Sequence, residues 1–208
     1  MPKAAKSDSD TKRKLLDAAM KLLIAKGFTA TTVDEICSEA GLTKGSFFHY
    51  FDNKEDLAKA AARHFHEFQQ RMFDGAEFRS IADPLDRVHG RLDFLVAFAG
   101  NPQLPKSCLI GNLAQEVSGT HEEIRCVCQG VFESGAADFE RDVAAAKIKH
   151  APEAEFDPAS ISRLYLTMIQ GSMVLAKAAK NPEIIAENVE HLRRYIESLF
   201  GKSRSRKR

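Results

Sequence analysis

The chain has 208 residues, 44% of them hydrophobic and 28% charged, with a formal net charge of +1. That balance excludes a disordered chain, and the length suffices for one or two domains around a sizeable core. No apolar run is long enough to span a bilayer and no leader-peptide core stands near the N-terminus, so a cytoplasmic chain without a membrane partner is expected.

In chain order, an amphipathic run predicts a first helix over about 10–26. Thr32 followed three residues later by Glu35 is a capping box, which predicts a helix over 33–40 stopping at Gly41. Thr43 caps a short helix over 44–50, and Asn53 with Asp56 caps another over 54–73. The segment 74–83 reads as a connector. Asp83-Pro84, Asn101-Pro102, Asp157-Pro158 and Asn181-Pro182 punctuate the rest, three of them suiting a cap followed by proline at the first helical position. Further helices are expected over 84–99, 105–117, 121–148, 158–180 and 182–199, with a loop over 149–157. No alternating pattern bounded by hairpin turns competes, so the fold class is all-α with about nine helices.

Cys37, Cys108, Cys126 and Cys128 show no disulfide framework and are expected to be reduced. Cys126 and Cys128 stand two apart, on different sides of a helix, and no histidine lies at ligand spacing, so neither a metal site nor a cofactor is expected. Nothing resembles a Ser/His/Asp arrangement, a paired-carboxylate site or a phosphate-cradling glycine loop.

Within residues 27 to 57 the pieces Gly-Phe, Thr-Thr-Val, Ala-Gly-Leu, Gly-Ser-Phe-Phe-His-Tyr-Phe and Asn-Lys-Glu-Asp-Leu follow in an order and spacing that closely resembles the DNA-binding domain of the TetR family of transcriptional repressors. The resemblance implies a helix-turn-helix DNA-binding domain over 1–53, a helical ligand-sensing and dimerisation domain over 54–200, and a basic tail over 201–208. By position in the motif it points Thr31, Thr32, Lys44, Gly45, Ser46, Phe48, His49, Tyr50 and Lys54 toward double-stranded DNA. Lys54, at a helix start, and the threonine hydroxyls suit phosphates, whereas Lys44 and Ser46 suit base edges. Gly45 lets the backbone come close to the duplex. For Phe48 a thymine-methyl contact and plain packing stay equally open. Phe47 and Phe51, four apart, are expected to face the core with Leu22, Leu23 and Phe28. The cations Lys3, Lys6, Lys12, Arg13 and Lys14 adjoin this motif.

The resemblance also implies a homodimer on an inverted-repeat operator, built on the last two helices with Ile161, Met168, Ile185, Val189, Leu192 and Ile196 at the interface. Pro105-Lys-Ser-Cys-Leu-Ile-Gly-Asn-Leu resembles a segment of an electrophile- and oxidant-sensing branch, with Ser107 where that branch often has glycine. Cys108 would then stand in the first turn of a helix, where free amides favour a thiolate, with Lys177 as a candidate cation beside it. A small buried hydrophobe is the plain alternative for Cys108. The function expected is a repressor released by a small-molecule inducer or by modification of Cys108. The alternatives are a repressor of a reversible ligand without thiol chemistry, and a cytosolic thiol enzyme using Cys108.

Overall fold

The structure, a computed structural model, describes residues 3–101 and 107–201, with side chains from residue 9 onward. The side chains of Lys3 and Lys6 and the tail over 202–208 therefore lie outside the described residues. Among those residues the chain forms nine α-helices and no strand: α1 (Lys3–Lys26), α2 (Val33–Ala40), α3 (Lys44–Tyr50), α4 (Lys54–Asp74), α5 (Pro84–Gly100), α6 (Leu109–Val117), α7 (Glu122–His150), α8 (Pro158–Ala179) and α9 (Glu183–Leu199).

Local chemistry accounts for most boundaries. Thr32 accepts from the Glu35 amide while the Glu35 carboxylate accepts from the Thr32 amide, so two free donors of α2 are satisfied reciprocally. Gly41 ends α2 in the left-handed conformation. Asp83 and Asp157 accept from the first amides of α5 and α8, each with proline at the first helical position. Most limits agree within two residues of the sequence-based expectation, and three features differ by more than that. Helix α1 begins at Lys3, because no proline or glycine interrupts the run and Ala4, Ala5 and Lys6 are good helix formers. Helix α6 begins only at Leu109: Cys108 has extended backbone and is the N-cap, so it does not stand in the first turn. The connector 74–83 holds a 3-10 turn, Glu77–Ser80, anchored by buried Phe78. The absent Gly90 side chain admits that turn, since a Cβ there would lie 2.8 Å from the Phe78 Cβ.

The residues group into two compact units, Met1–Arg71 with Cys108–Val131, and Met72–Ser107 with Phe132–Arg208. In the first unit Leu15, Ala19, Leu23, Ile36, Phe47, Leu57 and Ala61 are buried from successive helices, so the short α2 and α3 are held by packing rather than by intrinsic stability.

In the second unit α5, α7, α8 and α9 enclose a core of Leu85, Val88, Leu92, Phe139, Val143, Ile161, Tyr165, Val189, Leu192 and Ile196. Ile161, Ile185, Val189, Leu192 and Ile196 are between 0% and 3% exposed within one protomer. Within the protomer they pack as core residues, and Met168 is partly buried against the same core. The outward apolar side chains of α8 and α9 are instead Leu164, Val174, Leu175 and Tyr195. Arg91 is buried in this unit, donating to Tyr165 Oη at 3.2 Å and to Asp138, with its guanidinium over the Phe73 ring. A buried charge so paired and ring-stacked is tolerated where an isolated one would not be.

Candidate nucleic-acid interface

The surface is built from the turn after α1, the N-terminus of α2 and the outward face of α3. Phe47 and Phe51 point into the core at 0% and 3% exposure, which fixes the rotation of α3 about its axis. Lys44, Gly45, Phe48 and His49 are consequently exposed, and Ser46 and Tyr50 are half-buried. Phe48 is 58% exposed, so of the two alternatives left open by the sequence its ring is available for an apolar contact. His49 and Tyr50 lie edge-to-face with centroids 4.7 Å apart. The Thr43 hydroxyl accepts from the Ser46 amide at 3.2 Å and lies 3.1 Å from the Ser46 hydroxyl, which orients Ser46 at the front of α3. A Cβ at Gly45 would meet only Thr43 Oγ1 at 3.6 Å, so this glycine answers no internal crowding and leaves the backbone open to an approaching partner. Lys44 reaches Asp34 of α2, Nζ to Oδ1 at 2.8 Å, and that hydrogen bond holds its ammonium above the ordinary lysine range.

Thr31 and Lys54 are committed to the fold. The Thr31 side chain is fully buried and its hydroxyl donates to the Gly27 carbonyl at 2.6 Å, closing the turn. Lys54 Nζ donates to the carbonyls of Phe28 at 2.9 Å and Thr31 at 3.0 Å, and lies 4.3 Å from the Phe28 ring centroid. Its ammonium therefore ties the start of α4 to that turn through two of its three donors. Thr32 stays exposed at the α2 cap.

Two further residues hold this turn and the end of α1 before it, neither marked by any local sequence signal. The Glu116 carboxylate of α6 accepts from the amides of Phe28 at 2.7 Å and Thr29 at 2.8 Å. Burial works to raise its pKa, but the Thr29 and Phe28 amides outweigh it and hold the group below the ordinary carboxylate value. One turn earlier Asn112 donates to the Ile24 carbonyl at 3.3 Å. Gly27 completes the fit: its φ is +85°, and a Cβ would stand 2.5 Å from Glu116 Oε2.

Cys108 precedes α6 and is 6% exposed, whereas Cys126 is the exposed member of the four cysteines. Burial pushes the Cys128 thiol up to about 11. Lys177 is exposed on α8. An open groove of about 400 Å³ runs between α4 and α7, lined by Arg63, His66, Cys126, Val127, Gly130 and Val131.

A capped, short second helix presenting a lysine, a serine, an exposed phenylalanine and a histidine, seated on three-helix packing, defines a helix-turn-helix DNA-binding regulator. Residues 15–61 match the model of bacterial regulatory proteins of the tetR family, and residues 84–192 match the tetracyclin repressor-like C-terminal domain. The chain belongs to the TetR family of transcriptional regulators, and it is a regulator rather than an enzyme. It is 29% identical over 184 residues to the transcriptional regulator AcuR of Cereibacter sphaeroides, covering 88% of this chain and 83% of that one. It is 29% identical over 187 residues to YxaF of Bacillus subtilis, an uncharacterized HTH-type transcriptional regulator, covering 88% and 95%. A crystal structure of the regulatory protein TetR from Rhodobacter sphaeroides superposes with a TM-score of 0.75 at 25% identity, over 88% of this chain and 97% of that one. No described helix is long and apolar enough to cross a membrane.

Proposed function

We propose that the chain is a homodimeric repressor whose residues 1–53 read an inverted-repeat operator and whose residues 54–200 sense an inducer and dimerise. The observation that carries the DNA-reading part is α3, whose buried Phe47 and Phe51 leave Lys44, Ser46, Phe48 and His49 on one outward surface. Release is carried by α6. Its N-cap is Cys108, and on the following turns Asn112 holds the end of α1 and Glu116 the α1–α2 turn. A ligand or a Cys108 adduct that favours another placement of α6 loosens that turn, and the reading helix loses its place on the operator.

The burial of Cys108 favours a second reading, in which a reversible ligand is the inducer and this thiol only packs. Fluorescence anisotropy with a duplex selected by the protein from randomised DNA tests both. The selected sequence is expected to be an inverted repeat bound by two protomers. N-ethylmaleimide should label Cys126 first and, if Cys108 is the sensor, release wild type but not Cys108→Ser after slower labelling. Equal release of both proteins removes Cys108 from the mechanism. Selection of no inverted repeat removes the dimeric operator.

A further inference from the structure

Helix α2, Val-Asp-Glu-Ile-Cys-Ser-Glu-Ala, carries three carboxylates and no cation, an awkward neighbour for a surface that meets phosphates. Each carboxylate is answered by a lysine. Glu35 pairs with Lys26 and Glu39 with Lys21, both on α1, whereas Asp34 takes Lys44 from α3. Lys44 is the one lysine or arginine of the reading helix. Glu35 also serves the α2 cap, and it is held at about 2 chiefly by its Lys26 hydrogen bond. Asp34, with its side chain 68% exposed beside a Lys44 side chain 59% exposed, stands at the surface itself.

We infer that Asp34 is a specificity-determining residue of the DNA-reading surface, acting through the Lys44 ammonium that it holds. This assignment rests on the DNA-reading role of α3 proposed above. A carboxylate 2.8 Å from the ammonium cancels most of the attraction of Lys44 for any phosphate it passes. It also fixes the ammonium at the front of α3, where base acceptors such as guanine O6 and N7 meet a recognition helix. An exposed ion pair is weak, so a matched base displaces Asp34 from Lys44. A phosphate contact gains little, because the displaced carboxylate then faces the backbone. The pair thus lowers affinity for random sequence more than affinity for the operator.

The test uses the full-length protein and two probes, a random-sequence duplex and the sequence that wild type selects from randomised DNA, with anisotropy followed against potassium chloride. Asp34→Asn should tighten binding to the random duplex by about threefold to tenfold and steepen the slope of log affinity against log salt by about 0.9. Affinity for the selected sequence should change less, so the ratio between the two probes falls. In a Lys44→Ala background the same Asp34→Asn change should have little effect on either probe. An undiminished gain in that background makes Asp34 an independent repulsive charge and overturns the inference, as does no gain in the single variant. Wild type without salt-dependent affinity for any duplex overturns the DNA-reading role itself and the inference with it. Asp34→Ser, compared by thermal melting, guards against an effect on folding: its gain should match that of Asp34→Asn, and a gain confined to one variant overturns the inference.

Discussion

Lys54 and Lys44 are both lysines near the start of a helix, yet their surroundings give them opposite tasks. Lys54 donates to two carbonyls and lies over an aromatic ring, so its charge is engaged inside the protein. Removing it leaves the Phe28 and Thr31 carbonyls without that donor, which costs about 1–2 kcal/mol for a partly buried charged hydrogen-bond pair. Lys54→Met should accordingly lower the melting temperature by about 2–8 °C in a chain of this size. DNA affinity should fall with it, but the salt slope should stay at the wild-type value because no phosphate contact is lost. Lys44→Ala should do the reverse: its exposed pair with Asp34 contributes little to folding, so melting is kept, while base preference relaxes at the position it reads. The salt slope changes little, because Asp34 already offsets the Lys44 charge. Melting curves and base preferences of the two variants separate the roles, with salt titrations beside them. A reduced slope for Lys54→Met would return that residue to the phosphate contact expected from its motif position.

At the scale of elements, α6 is the helix that fastens the reading head from outside its own sequence neighbourhood. Gly27→Ala forces a methyl into the space of the Glu116 carboxylate and a side chain onto a φ of +85°. The strain and the disrupted amide contacts together cost about 2–4 kcal/mol, seen as an earlier thermal transition. Glu116→Gln keeps the shape and removes the charge, so it should destabilise less. Its pH dependence has a definite sign. The folded carboxylate titrates below the ordinary value of 4.5, so its stabilisation is full above that value and is lost as the pH falls through the folded pKa. The melting gap between wild type and Glu116→Gln should thus be open at neutral pH and close as the pH falls from 4.5 through the lowered folded pKa. A gap that stays constant to low pH would mean that the charge of Glu116 contributes nothing. The same helices show what sequence carries and what it does not. The limits of α2 and α3 are legible because Thr32, Glu35, Gly41 and Thr43 act within three or four residues of their targets. The Glu116 contact joins residues 88 apart, and no local spacing encodes it. Lys54 was legible as a cation at a helix start, but not as one already committed to carbonyls brought close by the fold. The helix expected over 105–117 places Cys108 in its first turn, whereas α6 starts four residues later, at Leu109, with Cys108 as its extended N-cap, a backbone rotation that composition does not specify.

For the whole molecule, the question is which face of α8 and α9 meets a second copy. Ile161, Tyr165 and Ile169 on α8, at intervals of four, and Ile185, Val189, Leu192 and Ile196 on α9, at intervals of four, three and four, mark apolar stripes. A stripe looks the same whether its own core or a partner covers it. These side chains fill the protomer's core, and the apolar groups left outside are Leu164 at 36%, Val174 at 46%, Leu175 at 57% and Tyr195 at 44% exposure. Leu164, Met168, Gly171 and Leu175 follow one another at intervals of four, three and four, one face of α8. The absence of a side chain at Gly171, where a Cβ would meet nothing within 4 Å, lets another helix approach closely there. A second copy laid on this face is the proposed interface, and it separates two substitutions that a stripe alone would treat alike. Leu175→Glu adds a charge at the surface of the protomer, so the helical circular dichroism and melting of the monomer should be kept. Buried in a dimer, that unpaired charge costs about 3–5 kcal/mol, enough to shift assembly to monomer at micromolar concentration and to weaken operator binding with it. Leu192→Glu places the same charge at a site 1% exposed within one protomer and should unfold the second unit instead of yielding a folded monomer. Light scattering beside circular dichroism reads both outcomes. A folded monomer from Leu192→Glu, with Leu175→Glu still dimeric, would move the interface back to the inward stripe.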